Sequence, residues 1–165
     1  MHKFITTSYE QTQKIGKKLA KEILNLKKNK NAVVIGLSGN LGGGKTTFIQ
    51  GFAKGLGIKE KILSPTFVIL KRFKITKPKT QNPKSEFINF YHFDCYRVKN
   101  EKDIIELGFE EVIKNPGNII AIEWPERVKK VLPQKIIVIN FKFTDKNKRE
   151  VVFDFENGIL DDIMK

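Results

Sequence analysis

Gly39-Asn40-Leu41-Gly42-Gly43-Gly44-Lys45-Thr46 decides the reading of this chain, because it satisfies the pattern Gly-x-x-x-x-Gly-Lys-Ser/Thr without a mismatch. Each fixed position has a physical task. Glycines admit positive φ and let successive backbone N–H groups turn inward around an anion. Lys45 brings a point charge to the β- and γ-phosphates of a nucleoside triphosphate, and the Thr46 hydroxyl is an oxygen donor of the kind Mg²⁺ selects. Residues Gly39, Asn40, Leu41, Gly42, Gly43, Gly44, Lys45, Thr46 and Thr47 are therefore expected to cradle a phosphate tail.

Working outward, the flanks have the order such a cradle needs. Residues 32–37 form a short apolar, β-branched run typical of a buried parallel strand, and residues 45–56 read as a helix ending at Gly57. A helix starting at the loop adds uncapped N–H groups and a positive dipole end. Upstream, Thr7 or Ser8 caps a helix with Glu10 and Gln11 as capping-box partners, and Ile15, Leu19, Ile23 and Leu26 continue it to about Lys27. Downstream, residues 67–73 and 87–93 read as strands, the second ending at Asp94. Residues 101–107 and 109–113 suggest short helices, and 118–122 a buried strand ending at Glu123. Residues 135–143 and 150–155 read as a hairpin around the polar turn 144–149. The basic stretch 74–85, with Pro78 and Pro83, reads as an exposed loop. The pattern predicts one α/β domain over residues 1–165. It is a P-loop NTPase-like fold with a mostly parallel central sheet, flanking helices and antiparallel strands near the C-terminus.

Bulk composition narrows the classes. A chain of 165 residues with 40% hydrophobic and 30% charged residues suits one soluble domain. Its single cysteine, Cys95, excludes an intramolecular disulfide and a cysteine metal cage. No apolar run has signal-peptide or membrane-spanning length, so the expectation is a cytoplasmic protein with no membrane contact. The net charge of +13 raises nucleic acid as a partner, but only four of the 31 basic residues are arginine. That composition favours a solvated lysine surface over a base-reading one.

Two carboxylates end apolar strands where a phosphate loop needs help. Glu123 is the expected partner of Thr46 in a magnesium shell; the alternative is a solvent-facing carboxylate. Asp94 is a candidate for positioning water or metal, or a turn aspartate. Thr66, in Ser64-Pro65-Thr66-Phe67, lies where it could reach a γ-phosphate, although Ser-Pro-Thr is also good turn chemistry. Trp124 reads either as a rim aromatic or as a group near the nucleotide, and His92 as a structural histidine.

These blocks fall in one order: residues 39–48, Gly51, Leu56-Gly57, Ser64-Pro65-Thr66-Phe67, Tyr91-His92-Phe93-Asp94-Cys95-Tyr96-Arg97, Leu107-Gly108 and Glu123-Trp124-Pro125-Glu126. Together they resemble the TsaE family, bacterial ATPases of tRNA threonylcarbamoyladenosine biosynthesis. The resemblance implies ATP and Mg²⁺ as ligands and slow, partner-dependent hydrolysis. It also implies work beside TsaB and TsaD, with tRNA as the substrate of that complex. Lys45, Thr66, Asp94 and Glu123 would then be activity-critical, Thr46 and Glu123 the magnesium residues, and Trp124 a neighbour of the nucleotide. Thr12 or Tyr9, at the start of the first helix, would serve the adenine pocket. Asn40, Gly43 and Cys95 depart from the family's usual aspartate, alanine and leucine, and the stretch 74–85 is longer and more basic than usual. Competing readings are a small-molecule or nucleotide kinase, which lacks an arginine-rich lid here; a GTP switch, for which Asn147-Lys148-Arg149-Glu150 ends in the wrong residue; and a nucleotide-regulated RNA-binding module.

Overall fold

The computed structural model describes residues 2–26, 30–76 and 85–154. In chain order it contains β1 (His2–Thr6), α1 (Tyr9–Asn25), β2 (Val33–Gly39), α2 (Lys45–Gly55), β3 (Leu70–Lys74) and β4 (Asn89–Asp94). There follow α3 (Lys102–Ile105), α4 (Phe109–Lys114), β5 (Asn118–Glu123), a 3-10 helix (Pro125–Val131), β6 (Ile137–Asp145) and β7 (Lys148–Asp154). The strands form one sheet in the order β1-β7-β6-β2-β5-β4-β3. Its middle, β6-β2-β5-β4, is parallel. Antiparallel strands close both margins: β7 and β1 beyond β6, and β3 beyond β4.

Strands buried on both faces need apolar residues throughout, and β2 and β5 have them. Alternation then sends neighbours to opposite layers. Ile35, Leu37, Ile119 and Ala121 pack with Leu19, Ile23, Phe48 and Phe52 from α1 and α2. Val34, Ile120 and Ile122 pack with Phe93, Ile104, Phe109 and Val128 on the other side. Ser8 caps α1, its Oγ accepting from the Gln11 N–H at 3.3 Å while Gln11 Oε1 accepts from the Thr7 N–H at 2.7 Å. α1 lies close against α2 because Gly51 has no side chain; a Cβ there would overlap the backbone carbonyl of Gln13.

Parallel strands end at the same edge, and this brings the functional candidates together. β2 pairs Leu37 with Glu123 of β5, and β4 pairs Asp94 with Glu123, so the loop and both carboxylates share one rim of the sheet.

Three local expectations change. The strand expected from residue 67 begins at Leu70, because the Val68 and Ile69 N–H groups both donate to the Pro65 carbonyl, at 3.0 and 2.6 Å, and form a turn. Ile69 holds a positive φ of 63°, an uncommon state for a β-branched residue. The N-terminus adds a strand that its own pattern does not announce: β1 exists through pairing with β7. A 3-10 helix follows Glu123, opened by Pro125. The expected helix end at Lys27, most of the basic loop (residues 77–84) and Phe155 lie outside the described residues. No helix among the described residues is long and apolar enough to cross a membrane.

Candidate functional site

The loop between β2 and α2 borders a cleft of about 800 Å³. Gly44 is the N-cap of α2 at φ 103°, a conformation that favours glycine, and no side chain caps the first turn. The opening N–H groups of α2 are thus left for whatever the cleft holds. Lys45 is buried, yet its Nζ borders the cleft, donating to the Gly39 carbonyl at 2.5 Å and the Asn40 carbonyl at 2.9 Å. Leu41, Gly42, Gly43, Gly44, Lys45, Thr46 and Thr47 line the cleft, whereas Gly39 and Asn40 act behind it by holding the lysine. Burial pushes the Lys45 ammonium below its ordinary range, against the opposing pull of Glu123, Glu126 and Asp94.

Thr46 and Glu123 meet in the cleft. The Thr46 hydroxyl donates to Glu123 Oε1 at 3.1 Å, with Oε2 at 3.4 Å. A hydroxyl beside a carboxylate, at the positive end of a helix and open to a cleft, is an oxygen donor set that suits a hard divalent cation. Among the described residues no three His, Cys, Asp or Glu side chains cluster as a self-sufficient metal cage. Behind Glu123 lies His92, fully buried, its Nε2 2.9 Å from Oε1.

Asp94 is committed on both oxygens. Oδ2 accepts from Ser64 Oγ in a short contact and from Thr66 Oγ1 at 2.7 Å, while Oδ1 accepts from the Tyr96 N–H at 2.9 Å. The turn reading of Asp94 is thus met by the Tyr96 contact, and the same carboxylate holds two hydroxyls at the cleft wall. Trp124 takes φ 63°, turning the chain sharply after β5. Its ring lies 4.2 Å from Lys45 Nζ and 5.1 Å, centroid to centroid, from Tyr96. Such strained backbone gathers at functional sites.

The far end of the cleft brings the start of α1 and the β6–β7 turn together. Thr12, buried, faces the cleft with its hydroxyl tied to Thr6 Oγ1 at 2.9 Å and the Ser8 carbonyl at 3.3 Å; Tyr9 is exposed at the rim. Opposite them stands the β6–β7 turn with Lys146, Asn147 and Arg149. Arg149 stacks 4.4 Å from the Phe143 ring and donates its Nε–H to the Gly42 carbonyl at 3.2 Å. The sequence reading missed Thr7, Ser8, Ser64, Tyr96, Lys146, Asn147 and Arg149 as cleft residues. Only the Ser-Pro-Thr block hinted at Ser64; nothing local marks the hairpin turn as facing a loop more than 100 residues away.

Comparison with known proteins bears on the family and the fold. Residues 6–151 match the family model described as "Threonylcarbamoyl adenosine biosynthesis protein TsaE". The chain is 38% identical over 155 residues to the tRNA threonylcarbamoyladenosine biosynthesis protein TsaE of Rickettsia prowazekii (strain Madrid E), covering 93% of this chain and 95% of that one. It is 34% identical over 151 residues to the like-named protein of Bacillus subtilis (strain 168), covering 92% and 84%. A crystal structure of Bacillus subtilis YdiB superposes with a TM-score of 0.68 at 31% identity, over 92% of this chain and 83% of that one. The motif blocks, the fold and the match across most of both chains lead to one conclusion: this chain belongs to the TsaE family.

Proposed function

We propose that this chain binds ATP with Mg²⁺ in the cleft, hydrolyses it slowly, and serves the formation of threonylcarbamoyladenosine in tRNA beside a TsaB–TsaD type complex. The observation that supports ATP binding best is the convergence at one rim: an uncapped helix start, the Lys45 ammonium, and the Thr46–Glu123 pair. In this reading the loop amides and Lys45 grip the phosphates, and Thr12, Tyr9 and the β6–β7 turn border the base and ribose. Thr46 and Glu123 would hold Mg²⁺, which when bound supplies positive charge to phosphate oxygens.

Hydrolysis transfers the γ-phosphoryl group to water, breaking its bond to the β-phosphate oxygen and releasing ADP and phosphate. Positioning and charge neutralisation dominate such catalysis. Thr66 and Ser64 present hydroxyl oxygens at the cleft wall, hydrogen-bonded to Asp94 and, at 2.7 Å, to one another. Asp94 is engaged by three protein donors, which fits slow intrinsic turnover and acceleration by a partner that rearranges this wall.

Three measurements test the reading. Calorimetry with Mg²⁺ should detect ATP uptake by the chain, and phosphate release should rise when TsaB and TsaD are added. Reconstituted tRNA modification with a threonylcarbamoyl-adenylate source should then continue past a first turnover only when this chain is present. No ATP uptake, alone or with partners, ends the proposal.

A further inference from the structure

His92 occupies a position where an apolar residue would be the simpler choice. It is fully buried on β4, paired across the sheet with Ala121, beneath the α2 start. Its Nε2 lies 2.9 Å from Glu123 Oε1, and its Nδ1, also buried, has no hydrogen-bond partner among the described residues. An ionised carboxylate only accepts, which assigns a proton to Nε2 and leaves Nδ1 as the unpartnered atom. Leaving a buried polar atom unmatched is destabilising, and a leucine would fill the space without it. What leucine would not supply is a directed N–H. Glu123 Oε1 accepts from His92 on one side and from Thr46 Oγ1 on the other, so the imidazole and the hydroxyl together fix the rotation of the carboxylate.

Resting on the ATP and Mg²⁺ reading above, we infer that His92 is a positioning residue: its Nε2–H locks the Glu123 carboxylate in the orientation that pairs with Thr46, preorganising the cation-holding oxygens. Hydrogen-bond partners behind a metal-holding group commonly change metal affinity by about 10- to 100-fold when removed.

The test uses the full chain, a fluorescent ADP analogue, and titrations in EDTA and in saturating Mg²⁺. The readout is the ratio of the two dissociation constants. In His92→Leu this Mg²⁺-dependent tightening should fall about tenfold, with affinity in EDTA little changed. His92→Gln, whose amide N–H reaches as far as Nε2, should restore most of it, and the shorter His92→Asn should not. Should the leucine variant fail to fold, the Gln and Asn pair still decides. The inference is overturned if the variants keep the parent's ratio, if affinity falls equally with and without Mg²⁺, if Gln and Asn behave alike, or if the parent shows no Mg²⁺ tightening. A parent that binds no nucleotide removes the ATP reading as well; a parent that binds and tightens, with variants that match it, removes only the role of His92.

Discussion

Burying the Lys45 ammonium works against its charge, and the cleft is arranged around that conflict. Two loop carbonyls and the Trp124 face hold the cation while burial lowers its proton affinity below the ordinary 10.5. Between the lowered value and 10.5 the unfolded chain binds more protons than the fold. Stability therefore rises with pH through that window, and in the proposed ATP role the grip on phosphate should fall as the charge is lost. ATP affinity measured across alkaline pH should decline before pH 10.5 in the parent and stay flat in Lys45→Ala. At neutral pH, Lys45→Ala should weaken ATP binding about 10- to 100-fold, as expected for a lost charged hydrogen bond. Glu123→Ala should spare binding more than phosphate release; equal effects on both would count against its role. Trp124 is the single tryptophan, and its ring lies against Lys45, so its emission should change on ATP addition. An unchanged spectrum under saturating Mg²⁺-ATP would place the nucleotide elsewhere.

Among the elements, the α1–α2 contact is the most intolerant of volume. Gly51→Ala would drive a methyl into the Gln13 backbone, and the helices must separate. Overpacking of this kind costs about 1–3 kcal/mol, so thermal unfolding should shift down by several degrees. A melting temperature equal to the parent's would mean that α1 adapts freely. Elements like these differ in how far the sequence announces them. β2, the loop and α2 are legible because the information is local: an apolar run, glycines at fixed spacing, then a lysine and a threonine. Glu123 and Asp94 are legible for a related reason, since each ends an apolar strand. The turn after Pro65 is not, because Phe67, Val68 and Ile69 have strand composition and bonds to the Pro65 and Val68 carbonyls bend them away. β1 is hidden too, as His2–Thr6 becomes a strand by pairing with β7. Arg149 and His92 escape notice as site residues because their partners, Gly42 and Glu123, are distant in sequence.

On the scale of the whole molecule, the sheet depends on its last strands. β6 borders β2 on the side away from β5, and β7 is the strand that pairs β1. A chain ending at residue 135 should therefore lose cooperative thermal unfolding, although it keeps the entire phosphate loop; a sharp transition in that fragment would show β6 and β7 to be accessories. The contact between Arg149 and Gly42 adds a consequence in time. During translation, residues 39–46 leave the ribosome roughly a hundred residues ahead of the turn that faces them, as estimated from chain order. The nascent loop thus travels through synthesis without its opposite wall, and a cleft with both walls exists only once the final hairpin has emerged.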